Sequence, residues 1–366
     1  MRRLLTLLAC AVLCTTAQAQ LRIGQTTGLT GNSAANVKET LAGARLWLDA
    51  VNARGGVHSQ KIELITLDDH GDAQQAAENA RLLIEQHQVL ALFMVRGTPQ
   101  NLAILPLLER HGVPSIAPST GAMVLHVPLQ RHVFNVRSPY QDEAQKAVQQ
   151  LASMGVSRIA VLKTRDAFGE DAAQGAERGF SLTHLQPALI EGFDKSKPDF
   201  APLVARLVAA DAQAVLVIGT GAAVAQATHT LRAVGSKATV VTLSNNASAG
   251  FVQALGAEAR GVVVTQVFPS ERSLAVPMIK EASELLKAQG GGALSPAMVE
   301  GFAAAKVLAE ALRRAGPSPT RASLHKALEE LSFDLGGLPL RYSPTDHSGL
   351  RFTDLSIVGA DGGFRR

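Results

Sequence analysis

VLALFMVRGTPQN, residues 89–101, is the stretch on which the reading of the whole chain turns. Residues 89–95 are apolar without a break, as a strand covered on both faces must be. Arg96, Gly97 and Thr98 end the run, and Pro99 then opens a helical segment, in a first turn where its missing N–H costs nothing. A strand that feeds straight into a helix is half of a parallel β–α unit. The polar break has two readings: a turn and nothing more, or one wall of a ligand site.

The same unit recurs on both sides. LRIGQTTGLTG, 21–31, reads as a strand breaking into a Gly/Thr loop. A helix follows, with Val37, Leu41, Ala44, Leu48 and Val51 spaced alternately by four and three, on one face, until Gly55 and Gly56 stop it. KIELITLDD, 61–69, is the next strand, and Asp72 is placed to cap a helix reaching about residue 88. Further strands are expected in VPSIAPS (113–119), HVFNV (132–136), RIAVLK (158–163), AVLVIG (214–219), ATVVTL (238–243) and GVVVTQVF (261–268). Helices are expected near 140–154, 169–183, 198–209, 221–235 and 247–256. Alternation of this kind specifies an α/β fold whose parallel sheets carry helices on both faces. The pattern then changes: three helices near 273–289, 296–315 and 320–331 precede a hairpin-like tail of GLPLRY (337–342) and RFTDLSIVG (351–359). Such an ending does not extend one sheet, so the chain is expected to cross back between two lobes.

Bulk properties bound the function. With 366 residues the chain is long enough for two lobes, and 46% hydrophobic with 18% charged residues is globular composition. Met1-Arg2-Arg3, an apolar stretch from 4 to 14 and Ala17-Gln18-Ala19 read as a secretory signal, residues 1–19, cleaved before Gln20. Cys10 and Cys14, the two cysteines, both lie in it, so the mature chain is expected to lack thiol nucleophiles, thiolate metal ligands and disulfides. The net charge of +4 falls to about +2 without Arg2 and Arg3, and the basic residues are scattered, which gives nucleic-acid binding no support.

In open parallel sheets, ligands bind beyond the carboxyl ends of the strands, where helix N-termini also point. Those ends here hold Thr26-Thr27, Asp68-Asp69, Arg96-Gly97-Thr98, Ser119-Thr120, residues 164–168, Thr220-Gly221 and Ser244-Asn245. Hydroxyls and small residues suit a small polar ligand, yet Ser, Thr and Asp are also common helix caps, and both readings stand at each position. Asp68, Asp69 and Asp72 are read as structural. Arg96 either faces the ligand or pairs with a carboxylate of the protein itself. Catalytic signatures are missing. GTGAAV, from Gly219, has Val224 where a dinucleotide fingerprint needs Gly or Ala, and NASAG lacks the first glycine of a nucleophile elbow. The histidines show no HExxH pattern, and His126 and His132 are read as structural.

TGLTG (27–31), GARLWLDAVNARGGV (43–57), LDDHGD (67–72), HGVPSIAPST (111–120), RIAVLKTRDAFGED (158–171) and GFAAAKVLAEALRRAG (301–316) carry a family likeness. In this order the chain resembles the solute-binding proteins of branched-chain amino acid and amide ABC transporters. The resemblance implies the type I periplasmic binding protein fold: two doubly wound parallel-sheet lobes joined by three crossovers, near Val136, Phe268 and Gly336. One lobe would then comprise 20–136 and 268–335, and the other 137–267 and 336–366. It implies a periplasmic monomer without catalytic activity, cofactor or metal. Such a protein captures an amino acid, an amide or a small organic or aromatic acid between its lobes and delivers it to an inner-membrane ABC permease. A receptor or kinase could read the same closed lobes. By position, the resemblance gives ligand contacts to Gly97, Thr98, Ser119 and Thr120. It puts Phe168 where a tyrosine commonly packs on the ligand, and Thr220 where an aromatic residue is often found. Ser244 and Asn245, the latter a further expected contact, stand where amino-acid binders carry an acid for the ligand's ammonium. Burying an ammonium unpaired costs several kcal/mol, so unless nearby Asp166 substitutes, an amide, a carboxylate or an aromatic acid is the expected ligand. Arg96 would pair with a carboxylate.

Overall fold

The computed structural model describes residues 20–366, so the signal peptide expected at 1–19 lies outside the described residues. The first sheet is parallel throughout, in the order β2-β1-β3-β4-β5. Its strands are β1 (Leu21–Thr27), β2 (Ile62–Asp68), β3 (Ala91–Phe93), β4 (Ser115–Ile116) and β5 (Val133–Phe134). Side chains alternate across it, as the pleat requires. Ala91 and Phe93 join the core beneath α1 (Ala34–Ala53), while Leu92 joins the core beneath α2 (Ala73–Glu85) and α3 (Thr98–His111).

The second sheet has the order β14-β13-β10-β9-β8-β6-β7, in which β13 is Asp354–Val358 and β14 is Phe364–Arg365. Parallel strands β6 (Ile159–Thr164), β7 (Leu189–Phe193), β8 (Ala214–Ile218), β9 (Thr239–Thr242) and β10 (Val263–Gln266) form most of it. Val215 and Val217 face a core shared with α6 (Ala201–Ala209), α7 (Gly221–Ala233) and α8 (Ala249–Leu255). Ala214, Leu216 and Ile218 face α4 (Tyr140–Ser153) and α5 (Ala167–Thr183). No apolar run announces β7: as an edge strand it pairs on one side only and tolerates Glu191 and Gly192 within LIEGF.

After β10 the chain returns to the first sheet as α9 (Pro277–Ala288), α10 (Pro296–Arg314) and α11 (Arg321–Glu329). Helices α1 and α10 cross at two glycines. A Cβ on Gly43 would sit 1.9 Å from the Met298 carbonyl oxygen, and one on Gly301 would sit 1.8 Å from that of Thr40. The two backbones therefore touch, and no rotamer change could make room. The tail does not form the single hairpin its sequence suggests. β12 (Pro339–Arg341) pairs with β11 (Ser332–Asp334), and β13 (Asp354–Val358) pairs antiparallel with β10 and with β14 (Phe364–Arg365). Each tail segment finds a partner already present in a different sheet. Leu340, Tyr342 and Leu350 still lie in the first sheet's core, and the Tyr342 hydroxyl donates to the Asn135 carbonyl (2.8 Å). The chain thus stays with the first sheet well past Gly336, and makes its third crossing between Leu350 and β13. Two doubly wound lobes and three crossovers are the architecture expected.

Histidines stitch this tail down. The His347 ring stacks on Phe134 at 4.0 Å, and its backbone carbonyl accepts the Asn135 N–H (2.9 Å). His126, almost fully buried, bonds through Nδ1 to the Ser348 hydroxyl (2.9 Å), and burial pushes its pKa down to about 4. Burial likewise lowers His347.

Two expectations follow. Gly301→Ala should destabilise the protein by about 3 kcal/mol despite alanine's better helix propensity, measured by urea unfolding. Between pH 6.5 and about 4 the unfolded chain protonates His126 while the folded one does not. Stability should therefore be full above pH 6.5 and fall toward pH 4, by up to about 3 kcal/mol from this residue alone. His126→Asn should flatten that part of the pH profile, and an unchanged slope would contradict the assignment.

Candidate ligand-binding site

The strand tips of the first sheet are bent at matched positions. β3 stops at Phe93 because Met94 turns left-handed (φ 50°), and β4 stops at Ile116 because Ala117 does the same (φ 52°). Beyond the bends, Arg96 and Ser119 pair once more as an isolated parallel bridge. Gly97, at φ 95°, then turns the chain into α3, in a conformation that disfavours any side chain. These tips and those of the second sheet enclose a cavity of about 340 Å³.

Seven of the eight expected contacts line it. Arg96, Gly97, Thr98 and Ser119 come from the first lobe, and Phe168, Thr220 and Asn245 from the second. Thr120 does not line it: it is wholly buried, with its hydroxyl 2.9 Å from that of Thr98. Asp72 caps α2 through the Gln75 N–H (2.8 Å) as expected, although it also lines the cavity. Asp69 lines it too, with its carboxylate accepting from the Thr26 hydroxyl (3.0 Å) and the Gly71 N–H (2.9 Å); burial raises its pKa. Tyr140 and Lys195 are lining residues that strand-end reasoning missed. Tyr140 opens α4 and could have been found by following HVFNV through Arg137, Ser138 and Pro139 to the next helix start. Its ring lies 4.8 Å from that of Phe168, so the two make a joint aromatic wall.

The charges are arranged unevenly. Asp166 caps α5 through the Gly169 N–H (3.1 Å), accepts from Thr164 (2.9 Å) and pairs with Lys195 (3.1 Å). Both its oxygens are engaged. Arg96 donates to Asn36 Oδ1 (2.7 Å), Ser119 Oγ (3.4 Å) and the Asn245 carbonyl (3.1 Å), and among the described residues it has no carboxylate in ion-pair contact. Burial pushes its pKa down, yet a guanidinium stays charged. Among the described residues, no group of His, Cys, Asp or Glu converges as a metal site.

A sequence profile described as periplasmic binding protein matches residues 20–362. The chain belongs to the periplasmic binding protein family. It is similar to a substrate-binding periplasmic protein from Ralstonia solanacearum, at 33% identity and a TM-score of 0.87, over 94% of this chain and 99% of that one. A possible leucine/isoleucine/valine-binding protein from Rhodopirellula baltica SH 1 superposes with a TM-score of 0.88 at 25% identity, over 96% and 97% of the two chains. Leu/Ile/Val-binding protein homolog 3 of Brucella melitensis is 24% identical over 317 residues, 86% of this chain and 84% of the relative.

Beneath the cavity this periplasmic binding protein buries a charge network. Arg137, 2% exposed, donates to Glu143 Oε1 and Ser244 Oγ, both at 2.5 Å, and lies 3.6 Å from Glu300. Glu143 also accepts the Ser244 N–H (2.9 Å) and the Thr265 hydroxyl. Burial works against the Arg137 charge, but Glu300, Tyr140 and Glu143 outweigh it and raise its pKa. Ser244 is thus a network residue, while Asn245 faces the cavity. Arg137→Met should cost about 3–5 kcal/mol in urea unfolding, because it strands buried carboxylates. Arg137→Lys, which keeps the charge and loses the fork, should fall between the two.

Proposed function

We propose that this periplasmic binding protein captures a small carboxylate-bearing solute lacking an α-ammonium group, and delivers it to an inner-membrane ABC permease. Arg96 carries the reading: a guanidinium on the cavity wall whose only hydrogen-bond partners among the described residues are neutral oxygens. A carboxylate supplies the missing counter-charge, with the remaining N–H groups as donors. The Tyr140–Phe168 wall takes a flat or apolar body. Leu/Ile/Val-binding relatives suggest an amino acid, but two features favour an acid or amide. Ser244 and Asn245 bring no carboxylate for an ammonium, and Asp166 is already spent on a cap and on Lys195.

In this reading the protein acts in the periplasm as a monomer, after loss of residues 1–19, and binds without turnover. Thr98, Ser119, Thr220 and Asn245 orient the ligand, with Thr120 holding Thr98 from behind. The lobes comprise 20–136 with 268–350, and 137–267 with 351–366. Residues 336–350 move to the first lobe because Leu340, Tyr342 and Leu350 pack in its core.

A thermal-shift panel of amino acids, amides, aliphatic acids and aromatic acids tests this. An acid at 100-fold excess over its Kd should stabilise the protein by about 2.7 kcal/mol. Arg96→Gln should weaken that acid by about 10-fold or more while neutral amides are little affected. Stabilisation by zwitterionic amino acids alone would overturn the ligand class.

A further inference from the structure

The lobes touch outside the ligand cavity. Helix α8 of the second lobe begins at Ser248, whose hydroxyl caps the Phe251 N–H (3.2 Å). Two free N–H groups of its first turn remain, on Ala249 and Gly250. Both donate across the cleft to the carboxylate of Glu39 on α1, at 3.0 and 2.8 Å. The Val252 N–H already bonds to the Ser248 carbonyl, so Glu39 completes the helix start. Glu39 has no ion-pair partner of its own among the described residues. Beside it the approach is close: a Cβ on Gly250 would lie 2.7 Å from the Ala35 Cβ.

We propose that Glu39 is the clasp of the closed form, a positioning residue that holds α1 against α8 through bonds in which no ligand atom takes part. Neither Glu39 nor Gly250 lines the cavity. The clasp therefore sets how readily the lobes shut, and with it the affinity for any ligand, without selecting among ligands. When the lobes part, Glu39 and the two N–H groups turn to water. The contact thus biases closure and does not lock it. A hydrogen bond to a charged group, exchanged with water in this way, shifts an equilibrium by about tenfold. Gly250 keeps the clasp reachable, since a side chain there would hold the helices apart.

The test needs no ligand, so it can fail independently of the proposed solute. The cysteines of the chain lie at 10 and 14, ahead of the described residues, and labels at new cysteines are specific. Ala42→Cys on α1 and Ala254→Cys on α8, both exposed, carry spin labels for pulsed electron–electron distance measurement on the mature protein without added solute. The parent should show a minor population at a short interlobe distance beside the open one. Glu39→Ala should shift the population about tenfold toward a longer one. Gly250→Ala should do the same with thermal stability little changed, since its Cβ meets only Ala35 across the cleft. That combination separates a clasp from a merely structural role. Superimposable distance distributions in parent and both variants, or a parent with no short-distance population, would overturn the proposal.

Discussion

A guanidinium out of contact with water is costly unless carboxylates and other acceptors stand close to it. Arg137 is that guanidinium here: its Nη2 donates to Glu143 on α4 and Ser244 in the loop after β9, and its Nη1 faces Glu300 on α10 at ion-pair distance. It sits three residues beyond β5, where the chain first leaves one sheet for the other. The requirement that Glu143, Ser244 and Glu300 all reach it fixes how α4 starts, where β9 ends and how α10 lies against the crossing. The position of Tyr140 follows, because its ring lies under the same guanidinium, 4.6 Å away, and against Phe168. The aromatic wall of the cavity is a consequence of the buried charge below it.

Arg96 shows the contrasting solution. It is half-buried, only a strand away, and yet is met by an amide oxygen, a hydroxyl and a backbone carbonyl instead of a carboxylate. Two arginines at the same sheet edge thus differ in their partners, and on the proposed reading they differ in function for that reason. Arg137, ion-paired with two buried carboxylates, is structural. Arg96, met only by neutral oxygens, is left with attraction to spare for an anion. The question raised by RGT at the end of VLALFMV is settled in part by this geometry: the break lines the cavity, and the turn is made by Met94 and Gly97.

The architecture was legible because parallel strands buried on both faces leave near-continuous apolar runs, and β3, β6 and β8 do. β7 escaped because an edge strand needs no such run. The tail escaped because local pattern shows that a segment is extended and does not show which distant strand it will join. Seven lining residues were reachable from the rule that ligands sit beyond strand tips. Thr120 falls outside the cavity lining because neighbouring hydroxyls on one strand end point to opposite sides of it: Ser119 toward the cavity and Thr120 into the interior behind Thr98. Lys195 could not be found from strand ends at all, since it lies in the loop after β7, the strand that left no signal.

The distribution of charge partners also decides how the two lobes can separate. Arg137 shares its short bonds with Glu143 and Ser244, which belong with the second sheet, and only the longer 3.6 Å contact reaches Glu300 on α10. Glu300 in turn keeps the Ser119 hydroxyl (3.2 Å), on the first sheet. Arg96 keeps Asn36 and Ser119 there and would lose only the Asn245 carbonyl. Arg137, Glu143, Glu300 and Arg96 therefore each retain their nearest partner within one lobe, whichever way the cleft moves. What breaks on opening is one long ion pair and a few bonds to groups that water can replace. A network with its short bonds drawn across the cleft would weld the lobes together. With those bonds kept on either side of it, the cavity can be built on two arginines and still open.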